Sequence, residues 1–101
     1  MTARRYVLTP QAAEDLDAIW EYIAQDNVDQ ADRVIGEVEA SCRRLTEYPE
    51  IGHTRGDLTE LPVKFWTVFS YLIVYDPAVR PLTVIAVLHA ARDVGELLKE
   101  R

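Results

Sequence analysis

Two stretches constrain this chain more than anything else in it: residues 63–75, VKFWTVFSYLIVY, and residues 82–93, LTVIAVLHAARD. The first holds aromatic and β-branched residues almost without interruption and contains neither Gly nor Pro, a composition that suits strands. The second repeats the pattern in shorter form and ends in the polar group His89, Arg92 and Asp93. Between them, Pro77 and Pro81 remove backbone donors and mark a loop. The pattern predicts strands over residues 64–69, 71–76 and 82–89, with a tight reversal near Ser70. The rest of the chain must then cover a face of a small antiparallel sheet.

Upstream, residues 4–8 read as a short strand with Tyr6 and Leu8 on one face and Val7 on the other. Thr9 is placed to cap a helix with Pro10 in its first turn, and Glu14 and Asp15 fall early enough to favour its positive end. Ala12, Leu16, Ile19, Trp20 and Ile23 recur at three- and four-residue spacing, so the helix should run to about Gln25. A second helix should start at Asn27, with Gln30 completing a capping box, and end near Glu47. Its apolar stripe is Ala31, Val34, Ile35, Val38, Cys42 and Leu45, which makes Cys42 a small core residue. So short a connection forces the two helices into an antiparallel hairpin. Residues 48–61 read as a loop punctuated by Pro49, Gly52 and Gly56, and Val94, Leu97 and Leu98 suggest a last short helix.

The order β-α-α-β-β-β with a short C-terminal helix gives an α+β fold, a helical hairpin on one face of a small antiparallel sheet. With 101 residues it is one domain, 1–101. The strands place large apolar groups on both faces, Trp66 and Val68 against Phe65 and Thr67, so one face should remain uncovered as a partner site. The net charge of −6 argues against direct DNA binding by this chain. A single cysteine allows no intramolecular disulfide, and no apolar run is long enough for a membrane span, so a cytoplasmic protein is the expectation.

The residues offer little conventional chemistry. His53 and His89 lie on different elements without ligand-spaced neighbours, and the glycines are scattered, so neither metal nor cofactor is expected. Nothing around Ser41, Cys42 or Ser70 signals a nucleophile. His89 with Arg92 could supply a titratable group and a fixed cation for RNA cleavage. The plainer alternative is that Asp93 forms a helix cap or an ion pair with Arg92, and that His89 is satisfied at the strand end. For His53, Arg55 and Asp57 the plain reading is a solvated turn.

Five segments resemble the ParE/RelE toxins of type II toxin–antitoxin modules, the ParE-like branch in particular. They are YVLTPQAAEDLDAIWEYIAQDN at residues 6–27, ADRVI at 31–35, YPEIGHTRGDL at 48–58, YLIVYDP at 71–77 and VLHAARD at 87–93. The resemblance implies a growth-inhibiting toxin neutralised by a cognate antitoxin, whose C-terminal segment wraps it in a hetero-oligomer. RelE-like relatives cut mRNA on the ribosome with clustered basic residues and a C-terminal Tyr or His; ParE-like relatives poison DNA gyrase. Here Ala86 and Asp76 stand where relatives carry basic residues, and only Lys64 and Arg80 are basic between residues 64 and 83. The expectation is therefore gyrase inhibition and not RNase activity, with no catalytic residue assigned. The alternatives are a ribosome-dependent nuclease, in which His89 and Arg92 carry the chemistry, and an inactive antitoxin-binding scaffold. Candidate contacts to target or antitoxin are Trp66, Arg55, His89, Arg92 and Asp93, with Arg55 and Asp57 expected to tie their loop to the sheet.

Overall fold

In a computed structural model, residues 5–101 are described. Strand β1 is Tyr6–Leu8, helix α1 Pro10–Ala24 and helix α2 Val28–Glu47. A single 3-10 turn, Pro49–Ile51, leads through a loop to β2 Lys64–Val68, β3 Tyr71–Asp76, β4 Leu82–His89 and α3 Val94–Leu98. The expected element order holds. Arg4, at the edge of the expected first strand, lies outside the described residues.

Local sequence explains each boundary. The Thr9 hydroxyl accepts the Ala12 N–H at 3.1 Å with Pro10 at the helix start, and the Asn27 side chain accepts the Gln30 N–H at 2.9 Å. Each satisfies a donor that the first helical turn leaves orphaned. The Trp20 indole donates to Asp32 at 2.8 Å and so fastens the two helices to each other. Ala31, Val34, Val38, Cys42 and Leu45 are all buried on the inner face of α2.

The sheet order is β1-β4-β3-β2. β2, β3 and β4 pair antiparallel, but β1 runs parallel to β4, with Tyr6 opposite Leu82 and Leu8 opposite Val84. The sheet is therefore mixed, not wholly antiparallel as expected. The cause is the helical hairpin: two antiparallel helices between β1 and β2 return the chain to the side it left, and only the later tight turns fix the neighbours. β2 ends at Val68, where Phe69 adopts a left-handed φ of 53° in the two-residue reversal.

A second expectation fails more instructively. The face turned away from the helical hairpin is covered, not open. Val63, Phe65, Leu72, Val74, Ala86, Leu88, Val94 and Leu98 form a second buried cluster beneath α3 and Leu58 of the loop. Phe65 is 2% exposed and Leu98 also 2%. The short last helix thus closes a second core, and the apolar surplus on the strands is absorbed within the chain. α3 approaches the loop so closely that a side chain at Gly95 would strike the Leu58 carbonyl.

Candidate functional site

β4 carries a bulge that decides where the chemistry-bearing residues point. Opposite β3, the register slips between Val74 and Tyr75, which pair with Ala86 and Val84 and leave Ile85 unmatched. Leu82 and Val84 pack under the helical hairpin, Ile85 and Ala86 both turn to the second cluster, and Val87 returns to the first. With strict alternation from Leu82, His89 would sit on the α3 face. The bulge moves it to the α1 side. No separate sequence signal marks the bulge, because a strand buried on both faces reads as one apolar run with or without it.

There His89 and Arg92 line a cleft of about 380 Å³ between α1 and the end of β4, together with Asp15, Ala18, Ile19, Tyr22, Tyr71 and Val87. The His89 ring stands edge-on to Tyr71, with centroids 5.2 Å apart. Its Nδ1 accepts the Ala91 N–H at 3.0 Å. A nitrogen that accepts holds no proton, so Nε2 is left to carry it and presents a donor. Burial pushes the Tyr71 phenol up, and nearby Tyr22 adds to the rise.

The charges around the cleft are mostly committed. Arg101 grips Asp15 through Nη1–Oδ2 at 2.9 Å and Nη2–Oδ1 at 3.0 Å, and donates to the Ile85 carbonyl at 2.8 Å. Asp15 also accepts the Val87 N–H at 3.0 Å. Arg80 donates to the Pro77 and Val79 carbonyls in its own turn. Lys64 lies opposite Tyr75 on β2, at the other end of the sheet from the Tyr71–His89 pair, and faces Glu50 at 3.7 Å. Arg92 alone brings an unpaired cation to the cleft; its guanidinium has no hydrogen-bond or ion-pair partner among the described residues. A developing phosphorane would need more than one such group, together with a base. With Nδ1 taken by the Ala91 N–H, His89 presents Nε2 as a donor.

The other expected site residues do not converge on this place. Asp93 caps α3, accepting the Glu96 N–H at 3.3 Å, as the plain alternative holds. Trp66 is opposite Ile73, itself opposite Val87, so it shares the hairpin-side face with His89 from two strands away, half-buried and stacked on His53 at 6.5 Å. Arg55 and Asp57 are exposed and bind each other in a two-pronged pair at 3.0 and 2.8 Å. That hydrogen bonding holds the Asp57 carboxyl below the usual carboxylate range. They brace the turn and do not reach the sheet. The loop is instead tied down by the backbone of His53, paired with Phe65 at 2.9 and 2.7 Å, and by the buried Tyr75 hydroxyl, which donates to the Pro49 carbonyl at 2.7 Å and accepts the Gly52 N–H at 3.1 Å. Backbone groups and a core tyrosine carry no motif, so sequence reading passes over them.

A family model described as the ParE toxin of the type II toxin–antitoxin system parDE matches residues 6–94. Among solved structures, the chain is similar to one from a chromosomal ParDE toxin–antitoxin system of P. aeruginosa, with a TM-score of 0.67 and 19% identity. The likeness covers 83% of this chain and 92% of that one, and at this identity it speaks for the fold. No curated protein matches. Among the described residues no three His, Cys, Asp or Glu side chains are grouped to hold a metal ion, and no helix is long and apolar enough to cross a membrane.

Proposed function

The chain belongs to the family of ParE toxins of type II toxin–antitoxin systems, and from that premise we infer that it arrests growth by poisoning DNA gyrase and is held inactive by a cognate antitoxin. The observation that carries the choice of target is the poverty of the His89 cleft in free cations. One unpaired guanidinium, beside an imidazole whose Nδ1 is already taken by the Ala91 N–H, gives RNA cleavage no charge clamp of the needed strength. Obstruction of a protein target makes no such demand, since interfaces rest on apolar and aromatic anchors with arginine at their centres. Trp66, Arg55, His89, Arg92 and Asp93 are the residues we assign to contacts with target or antitoxin. Arg92 ranks first among them because no side chain or carbonyl among the described residues occupies its guanidinium. The complex works in the cytoplasm, as a hetero-oligomer whose DNA-binding element belongs to the antitoxin, in keeping with the net charge of −6 here.

The test is induction of the chain in a bacterial host without any antitoxin. Growth should stop, a DNA-damage response should precede any fall in protein synthesis, and bulk mRNA should stay intact at that time. Early mRNA cleavage with no damage response would turn the reading towards the ribosome. Undisturbed growth at confirmed soluble expression would leave only a scaffold.

A further inference from the structure

The cleft between α1 and the end of β4 presents an unusual combination for so acidic a chain. Its floor is apolar, built by Ala18, Ile19 and Val87. Among the described residues the only carboxylate lining it, Asp15, is already satisfied by Arg101 and the Val87 N–H. Among the described residues, what remains unsatisfied is mostly donors: the Arg92 guanidinium and the Nε2–H of His89, whose other nitrogen is occupied by Ala91, beside the Tyr22 and Tyr71 hydroxyls, which can donate as well as accept. An entering group meets the donors at the exposed rim, one of them cationic, with the buried apolar floor of Ile19 and Val87 beneath them. Such a surface selects an anion attached to something apolar.

We propose that this cleft is a carboxylate-anchoring pocket for the neutralising partner. A Glu or Asp side chain of a partner segment lies on Arg92 and the His89 Nε2–H, and a neighbouring apolar side chain lies on Ile19 and Val87. Only the identity of that segment rests on the antitoxin reading; the chemistry of the pocket does not. The volume of about 380 Å³ takes a pair of side chains, and charge favours a protein segment over a nucleic acid. Glu14, Asp17 and Glu21 are exposed on α1 beside the cleft, and this acidic surface disfavours a run of several phosphates more than it disfavours one carboxylate.

The experiment is a titration of isotope-labelled whole protein, followed by backbone amide NMR. The probes are acetyl-Leu-Ala-Glu-amide, its Gln counterpart, inorganic phosphate and the dinucleotide UpU. Leu and Glu two residues apart share one face of an extended segment. The glutamate peptide should shift Val87, His89 and Arg92 and bind about tenfold tighter than the glutamine peptide, the ratio expected from one charge-assisted contact. Arg92→Gln should erase that ratio while the rest of the spectrum, and hence the fold, stays unchanged. Equal binding of the two peptides, tighter binding of UpU, or the absence of shifts at these residues would each overturn the proposal. Because no antitoxin enters the titration, such a failure would leave the antitoxin reading standing, and failure of neutralisation in cells would leave the pocket standing.

Discussion

Asp15 and Arg101 are 86 positions apart and meet in a two-pronged ion pair at 2.9 and 3.0 Å, their side chains only 15% and 12% exposed. The pair sits where β1 stops accompanying β4. β1 reaches only as far as Val84; beyond it the Thr9 and Arg101 side chains take the Ile85 carbonyl, and Asp15 takes the Val87 N–H. Side chains thus finish the edge of the sheet that a longer β1 would have paired, a common way of blunting an open strand. The same contact holds the chain after α3 against α1, so the two cores on opposite faces of the sheet share one fastening.

Asp15→Ala should therefore cost more than an ordinary helix-surface change. It strands the Val87 N–H and leaves Arg101 without its counter-charge, a loss of about 2 kcal/mol. Urea unfolding measures it. Combining it with Arg101→Ala should give a double-mutant cycle with clear coupling, about 1 kcal/mol or more; strictly additive losses would contradict the pairing.

Little of this was legible beforehand, and the reason is physical. Helix caps, amphipathic stripes and strand composition are local, so Thr9, Asn27, the Cys42 stripe and the strands could be read directly. Asp15 looked like a first-turn acid serving the helix dipole, because its real partners lie 72 and 86 positions away. The parallel pairing of β1, the bulge at Ile85 and the closure of α3 over Phe65 are likewise settled by which long-range packing closes best. The site was half legible: His89 and Arg92 stand together as the motif suggested, whereas Arg55 and Trp66 stand elsewhere.

Tyr75→Phe should loosen the loop that follows α2. The lost hydroxyl would leave the Pro49 carbonyl and the buried Gly52 N–H unsatisfied, at a cost of about 1–3 kcal/mol. Amide exchange at Gly52 should accelerate accordingly. Gly52→Ala should be at least as damaging, because its side chain would overlap the Tyr75 hydroxyl.

Phe69 predicts the opposite sign. It is 51% exposed and holds a φ of 53°, a conformation that penalises a bulky residue by about 1 kcal/mol. Phe69→Gly should leave the thermal midpoint unchanged or raise it, despite the loss of a large side chain. A clear drop would mean that the phenyl ring packs productively at the hairpin tip.

Cys42 supplies a pH dependence. Burial, followed by the nearby Glu39 carboxylate, pushes its thiol up from 9.0 to about 12. The unfolded chain ionises its thiol first, so the contribution is intact below pH 9 and shrinks as pH rises from there towards 12. Stability measured across that window should fall more steeply for the wild type than for Cys42→Ala, from a higher starting value. At pH 8 in native buffer a thiol reagent should react only at the rate of unfolding; rapid labelling would remove Cys42 from the core.

Whether this chain poisons gyrase is decided with the purified enzyme. Refolded toxin, free of antitoxin, is added to gyrase with relaxed plasmid and ATP, and the products are resolved after detergent and protease treatment. Gyrase poisoning should appear as loss of supercoiling together with linear DNA trapped in cleaved complexes, and as restoration when antitoxin is added. Full supercoiling with no cleaved DNA, from a sample that still binds its antitoxin, would contradict it.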